Sequence, residues 1–252
     1  MPLLTLLTDF GLGDSYVAEV KGAILSRVPH ATLVDITHNI APGDVRAGAH
    51  VLGRAWRAFP PGTVHLAVVD PGVGSDRRAL AVWAHGQAFL APDNGLLSAV
   101  LDDVSRQVFD LSVPDTAAPT FHGRDVFAPA AARLLLGDPI DAVGASLAID
   151  PVRLREPALR WEGKSVVGEV IYIDRFGTLV TNLTAEEVPP YAVIEAGDFV
   201  VGKLQRTFSD VASGSLIAFV GSSGLVEIAV RDGSADRRLG VGVGHEIRAR
   251  LG

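Results

Sequence analysis

The sequence predicts an α/β domain with a largely parallel sheet, followed by an all-β domain that resembles a barrel. Three observations lead to this prediction. Apolar strands alternate with amphipathic helices through the first half, short strands separated by Gly and Ser clusters fill the region from Lys164 onward, and the intervening segment 151–161 has no clean period and holds two prolines. We place the domains at residues 1–157 and 164–252, with a linker at 158–163.

The first half contains candidate strands and helices in alternation. Apolar runs predict strands at 3–7, 32–36, 64–69, 79–84, 88–91 and 107–111. Helices are predicted after Asp14 (with Val17, Val20, Ile24 and Val28 on one face), after Asp44 as far as Phe59, at 94–101, and from Asp125 to about Leu136. Because strand–helix–strand units connect parallel strands, we expect a largely parallel sheet.

The second half has the pattern of a small β-domain. Strand-like runs occur at 166–173, 179–183, 192–194, 199–201, 216–220, 225–230 and 245–249. Turn residues separate these runs at short intervals, which is typical of a barrel or a sandwich.

The composition excludes several classes of protein. The 252 residues carry 22 basic and 29 acidic side chains, a net charge of −7, and no cysteine. An acidic chain is a poor match for nucleic-acid phosphates, and a chain without cysteine has no disulfides or thiolate metal sites. With no visible signal peptide and no apolar run of membrane-spanning length, we expect a cytoplasmic protein with no nucleic-acid or membrane partner.

Two carboxylates follow predicted strands of the first half. Asp9 and Asp70 each precede a glycine-containing turn, and ligands of open α/β sheets bind at the carboxyl ends of strands. Arg77 can fold back toward Asp70 or toward a ligand. The alternatives are an aspartate that caps a tight turn and an Arg77–Arg78 pair that is simply solvated.

Among the seven histidines, His122 has the most site-like setting. Gly123 and charged residues adjoin it, and a predicted helix N-terminus, which disfavours imidazolium, follows it. The other histidines show no metal-ligand spacing, and His50 and His65 are best explained by packing, so we predict no metal site.

Two loops of the second half are weaker candidates for ligand binding. Residues 173–178 include Asp174 and Phe176, whose ring could stack on a flat ligand, and residues 221–224 offer N–H groups and serine hydroxyls. On pattern alone, ordinary hairpin-turn chemistry explains both loops better.

Seven short motifs together suggest a family. They are LTDFG at 7–11, DITH at 35–38, VDPGVG at 69–74, PDNG at 92–95, FHGRD at 121–125, DRFG at 174–177 and GSSG at 221–224. In this order they resemble the S-adenosylmethionine hydroxide adenosyltransferase family, which is related to the fluorinating and chlorinating adenosyl enzymes.

The resemblance implies a reaction and an assembly. S-adenosylmethionine (SAM) reacts with water to give adenosine and methionine, with SAM as substrate and no cofactor. The implied fold is an N-terminal α/β domain and a C-terminal β-barrel. The implied assembly is a homotrimer, with each site between the N-terminal domain of one subunit and the C-terminal domain of the next.

The resemblance also assigns roles to residues. Asp70, Arg77 and His122 would be catalytic. Asp9 would hold the ribose hydroxyls, and Asp14 and Asp174 the methionine ammonium. The remaining substrate-binding residues would be Phe176 stacked on adenine, Ser222 and Ser223 at the carboxylate, and Glu227 and Val230 on the strand that lines the adenine pocket.

One position departs from the family pattern. The family usually has Asn after Phe-Gly, in contact with adenine, whereas this chain has Thr178. Thr178 could make a weaker hydrogen bond, nearby Asn182 could replace the missing amide, or the main chain could hold the base.

Three alternatives to the hydrolase remain. The first is a halide-using adenosyl transferase, although those relatives lack a carboxylate at the position of Asp70. The second is a non-catalytic adenosine- or SAM-binding protein. The third is a metal hydrolase that uses Asp9, Asp70 and His122, which no metal-spaced pair supports.

Overall fold

The computed structural model describes residues 2–252, which divide into two compact units, one ending at Leu154 and the other spanning 155–252. The helices of the first unit are α1 (Tyr16–Leu25), α2 (Val45–Ala55) and α3 (Ala128–Leu135). Its strands are β1 (Leu3–Thr8), β2 (Thr32–Thr37), β3 (Val64–Val68), β4 (Ala79–Ala84), β5 (Gln87–Pro92), β6 (Gln107–Asp110) and β7 (Ala145–Ser146).

The sheet of the first unit is mixed, and the prediction of a largely parallel sheet was wrong. The strand order is β2-β1-β3-β5-β4-β6-β7. The β1–β2, β1–β3 and β3–β5 pairs are parallel, whereas the β4–β5, β4–β6 and β6–β7 pairs are antiparallel. The reason is the two-residue turn between β4 and β5, where His85 (φ 52°) and Gly86 (φ 74°) adopt the left-handed conformations of a tight hairpin.

Alternating side chains of this sheet face two separate hydrophobic clusters. In β1, Leu4 and Leu6 belong to a cluster that includes residues of α1 and α3, while Leu7 belongs to a second cluster with Leu52 of α2. Because successive side chains of a strand point to opposite faces, one apolar strand supplies both clusters. The sheet is therefore buried by helices on both sides.

Of the predicted helix caps, only some are confirmed. The Asp44 carboxylate accepts a hydrogen bond from the N–H of Ala47 (2.9 Å), so the predicted cap of α2 is confirmed. Asp14 does not cap α1, because the N-cap residue is Ser15. Asp125 does not cap α3 either, because it lies inside a π-helical turn, Gly123–Phe127, that leads directly into α3.

The second unit is a closed β-barrel with one additional strand and a short helix. Its strands are β8 (Arg160–Glu162), β9 (Ser165–Ile173), β10 (Leu179–Thr184), β11 (Val193–Ala196), β12 (Phe199–Gln205), β13 (Leu216–Val220), β14 (Leu225–Val230) and β15 (Glu246–Arg250). They follow the order β10-β14-β13-β12-β11-β15-β9-β8, and pairing of β10 with β9 closes a ring of seven strands. The helix α4 (Ala235–Leu239) and the strand β8 were not predicted.

Buried apolar residues from most strands of the ring form one hydrophobic cluster with Ala235 and Leu239 of α4. Among residues 2–252, no helix has the length and apolar character needed to cross a membrane.

Candidate active site

Adjacent parallel strands place two predicted site residues at one edge of the first sheet. Asp9 directly follows β1, and Asp70 follows its neighbour β3 by two residues. Because parallel strands end at the same edge of a sheet, the two turns that carry these aspartates are neighbours. The Asp9 carboxylate accepts a hydrogen bond from the N–H of Gly43 (2.8 Å), which fixes one of its oxygens.

Three side chains meet beyond the end of β3. The Nε of Arg77 donates to both carboxylate oxygens of Asp70 (3.0 and 3.1 Å), and its Nη2 also contacts Asp70. The same Nη2 lies 2.9 Å from Nδ1 of His122. The side chains of Asp70 and Arg77 are 5% and 9% exposed, and His122 is 5% exposed, so little water screens the cluster.

A tight turn at residues 70–75 returns the chain from Asp70 to Arg77. The N–H of Val73 donates to the carbonyl of Asp70 (3.2 Å), and the hydroxyl of Ser75 donates to the carbonyl of Gly72 (2.7 Å). Gly74 has a φ of +78°, and a Cβ there would lie 2.5 Å from the carbonyl oxygen of Pro119. Glycine at this position therefore lets the turn pack against the segment that leads to His122.

The hydrogen bonds define the protonation state of His122. Burial and, after it, the charge of Arg77 lower the pKa of His122. A guanidinium has no acceptor, so Nδ1 accepts from Arg77 and the neutral ring carries its proton on Nε2. The direction agrees with the neutral imidazole expected from the sequence, and burial and Arg77 are its main causes.

Arg77 retains unused donors at the cluster. Its Nη1 is buried and has no hydrogen-bond partner among residues 2–252. A buried N–H group is costly when it has no partner, so this nitrogen is suited to hold an oxygen atom of a ligand or of water.

Arg78 and the Asp93-Asn94 motif have a structural role. The Nε of Arg78 donates to Asp93 (2.7 Å), whose other oxygen accepts from the N–H of Val152 (2.7 Å). The amide of Asn94 donates to the carbonyl of Val69 (2.8 Å), directly before Asp70. The two arginines thus face different partners, and only Arg77 joins Asp70.

Asp14 lies in an exposed turn before α1. Next to it, Ser15 donates to Glu19 (2.7 Å), and Glu19 accepts from Arg124 (2.8 Å). Arg124 also pairs with Asp125, so this network connects the start of α1 with the segment that carries His122.

In the second unit, Asp174 organises the turn that presents Phe176. One Asp174 oxygen accepts from the N–H groups of Phe176 and Thr178 (both 2.9 Å). Phe176 is 76% exposed, which leaves its ring free to contact a ligand. The carbonyl of Gly177 accepts from the first two N–H groups of α4 (both 3.1 Å), so the unpredicted helix supports this turn.

Thr178, just before β10, and Asn182, within β10, occupy different environments. Thr178 is buried (6% exposed) next to the Asp174 turn. The amide of Asn182 accepts from the N–H of Glu169 (2.7 Å) and donates to the carbonyl of Pro157 (2.9 Å). Both ends of the Asn182 amide therefore bind the main chain of the same unit.

The last predicted residues lie at and after the β13–β14 turn. Ser222 and Ser223 are exposed in that turn, whereas Glu227 and Val230 are buried on β14. A Cβ on Gly221 would lie 1.9 Å from a carboxylate oxygen of Glu227, so glycine allows that side chain to pack against the turn. No group of three His, Asp or Glu side chains suited to a metal ion occurs among residues 2–252.

Comparisons with known proteins identify the family. The models of the SAM hydroxide adenosyltransferase N-terminal and C-terminal domains match residues 4–144 and 168–248. A Thermus thermophilus protein named (R)-S-adenosyl-L-methionine hydrolase is 42% identical, covering 96% of this chain and 97% of its own length. A Nocardia brasiliensis protein named fluorinase is 28% identical, and the match covers 100% of this chain and 97% of that protein.

Among solved structures, an uncharacterised conserved protein from Thermotoga maritima superposes with a TM-score of 0.88 at 35% identity, covering 98% of this chain and 99% of that one. Two family models that together span most of the sequence, with full-length relatives above 30% identity, establish that this chain belongs to the SAM hydroxide adenosyltransferase family.

Proposed function

We propose that this enzyme hydrolyses S-adenosyl-L-methionine to adenosine and L-methionine. The observation that carries the proposal is the buried contact of Asp70 and His122 with one guanidinium, that of Arg77. The Thermus thermophilus relative, matched over nearly its whole length, carries the name of this activity.

The cluster has the groups needed to hold and activate water. Arg77 Nη1 and the Nε2–H of His122 are donors that can bind the oxygen of a water molecule. A carboxylate has about four lone-pair positions, so Asp70 can accept a water proton while it remains paired with Arg77. A positioned base of this kind typically contributes a factor of ~10²–10⁴ in rate.

The bond changes in the reaction are simple. The water oxygen forms a bond to ribose C5′ as the C5′–sulfur bond breaks, and the sulfur keeps the electron pair and leaves as neutral methionine. The proton lost by water goes to Asp70. Because the sulfonium charge disappears during the reaction, tight binding of that charge would oppose catalysis, and alignment of water with the C5′–sulfur bond is the main source of acceleration.

The other roles and the assembly extend this proposal. Asp9 would bind the ribose hydroxyls, Asp14 and Asp174 the ammonium, and Ser222 and Ser223 the carboxylate. Phe176 would stack on adenine, next to Thr178, Glu227 and Val230. The occupied amide of Asn182 supports Thr178 or the main chain as the contact to the base. The enzyme would act as a homotrimer with sites between subunits and without a cofactor.

Product analysis tests the proposal. Purified protein is incubated with SAM, with and without chloride and with EDTA, and the products are separated by chromatography. We expect adenosine and methionine in every condition. A 5′-halo-5′-deoxyadenosine formed only with halide would indicate a halide-using transferase, EDTA inhibition a metal hydrolase, and absence of turnover a binding protein.

A further inference from the structure

A buried histidine lies beneath the turn that carries Asp9. The hydroxyl of Thr8 lies 2.8 Å from Nδ1 of His38, and the same hydroxyl accepts from the N–H of Phe10 (3.2 Å). The carbonyl of His38 accepts from the N–H of Gly11 (2.7 Å). His38 therefore holds the chain on both sides of Asp9.

The His38 ring lies between Thr8 and Asp35. Its Nδ1 shares a hydrogen bond with the Thr8 hydroxyl, which can donate or accept according to the ring tautomer. Its Nε2 lies 3.1 Å from a carboxylate oxygen of Asp35. Thr8 is 1% exposed, so its hydroxyl is unsuited to attack a substrate although a His–Asp pair lies behind it.

Asp35 is itself held in place. Its second oxygen lies 2.6 Å from Nζ of Lys21 on α1. Partial burial alone would raise the pKa of Asp35, yet the hydrogen bonds and charges of Lys21 and His38 hold it below its ordinary value. The pairing of β1 with β2 also shifts register next to Asp35: Leu6 pairs with Asp35, but the next residue, Leu7, pairs with Thr37. Such irregularities redirect side chains at the end of a strand.

We propose that His38 is a positioning residue for substrate binding, which holds the Asp9 carboxylate at the ribose hydroxyls through Thr8 and Gly11. This inference rests on the proposed function, in which Asp9 contacts the ribose. His38 is 3% exposed, and its effect on substrate passes through the turn.

The test compares two nucleosides that differ only in the groups that Asp9 would bind. Calorimetry gives the Kd of adenosine and of 2′,3′-dideoxyadenosine for the wild type, His38→Ala and Thr8→Val, with the exposed His30→Ala as control. Loss of a hydrogen bond to a charged group corresponds to about a tenfold to hundredfold change in affinity. We expect adenosine binding to weaken by about tenfold or more in both variants, with dideoxyadenosine unchanged within about twofold.

Kinetics supply a second readout. The KM for SAM should rise by a similar factor while kcat per folded molecule stays nearly constant, because the substitution weakens substrate binding. General unfolding would have a different effect: it would lower the active fraction and leave the ratio of the two Kd values unchanged. Thr8→Val preserves side-chain volume, so it keeps the test valid if His38→Ala does not fold.

The inference is overturned if both variants keep the wild-type ratio of Kd values, or if the wild type shows no preference for adenosine. SAM turnover by the wild type is measured separately. Turnover without ribose discrimination would contradict the ribose contact of Asp9, and with it the role of His38, but not the hydrolysis of SAM. Discrimination without turnover would contradict the proposed hydrolysis alone.

Discussion

Asp70 supplies the carboxylate that pairs with Arg77 in the buried cluster with His122, so its removal is the most direct test at the residue scale. Asp70→Ala removes the proposed proton acceptor and leaves the guanidinium without its carboxylate. We expect turnover per folded molecule to fall by about a hundredfold or more. Asp76→Ala, an exposed change just after the same turn, is the control. Wild-type-like turnover by Asp70→Ala would refute its catalytic role.

Arg77 and Arg78 offer a matched pair of substitutions. Lysine cannot reproduce the fork by which Arg77 contacts Asp70 and His122, so we expect Arg77→Lys to lower kcat by about tenfold or more. Arg78 pairs with Asp93, and Arg78→Lys should leave kcat within about twofold while it lowers stability slightly. Initial rates at saturating SAM check both, and an equal loss in the two variants would contradict the distinct roles.

At the scale of elements, the contact between α4 and the Asp174 turn depends on Gly177. Its φ is +80°, and a Cβ would lie 2.3 Å from Oδ1 of Asp236 and 2.5 Å from Oγ of Ser234. Gly177→Ala should therefore destabilise the barrel by about 2 kcal/mol or more and weaken SAM binding. Gly163→Ala is the control, because its φ is +59° but no atom lies within 4 Å of the added Cβ.

Urea unfolding of these two variants gives the difference in unfolding free energy. Backbone strain alone should cost Gly163→Ala about 1 kcal/mol, and equal losses in the two variants would show that the close approach of α4 contributes nothing.

Strand positions could be predicted well because apolar runs and alternation are local properties of the sequence. Strand direction could not be predicted from periodicity, and the parallel expectation failed at β4, although the two-residue His85-Gly86 turn indicated a hairpin. The short strand β8 is exposed and is held by pairing with β9, and the short helix α4 buries only Ala235 and Leu239, so the local signal of both was weak.

At the site too, local sequence signals could be interpreted, whereas contacts that depend on the folded structure could not. The separation of seven residues allowed Arg77 to reach Asp70 but left a ligand contact and a solvated Arg77–Arg78 pair as alternatives, and the structure shows the contact with Asp70. The engagement of Asn182 by Glu169 and Pro157 could not be predicted, because those partners are brought together only when the barrel closes. Likewise, the pairing of His38 with Thr8 depends on the adjacency of β1 and β2.

At the scale of the whole molecule, the proposed trimer can be tested by mass. The first unit carries Asp70, Arg77 and His122, and the second carries Asp174 and Phe176, so a site assembled from neighbouring subunits requires an oligomer. Light scattering coupled to size exclusion should give three times the 26.4 kDa chain mass. A mass of one or two chains would contradict the trimer.

The acid stability of the protein should depend on a buried histidine far from the proposed chemistry. His65 is fully buried and bonded to Thr5 (2.7 Å) and to Gln87, and burial lowers its pKa to about 4 despite the opposing effect of the hydrogen bond that its Nε2–H donates to Gln87. This arrangement confirms the prediction that packing explains His65. The neutral ring is the form that fits the core.

The sign of the pH effect follows from linkage. The unfolded chain takes up this proton near pH 6.5 and the folded chain only near pH 4, so the contribution of His65 to stability is fully present above pH 6.5 and declines as the pH falls toward 4. The full difference corresponds to about 3 kcal/mol, and burial of His50, whose pKa is also lowered to about 4, acts in the same direction.

Urea unfolding at several pH values between 7 and 4 measures this decline. His65→Gln should be less stable at pH 7, because it disturbs the contacts to Thr5 and Gln87, but its stability should fall less steeply with acid. His30→Gln alters an exposed histidine and should retain the wild-type slope. If wild type and His65→Gln lose stability in parallel, proton uptake by His65 is not a source of the acid sensitivity, and the decline must come from other groups such as His50.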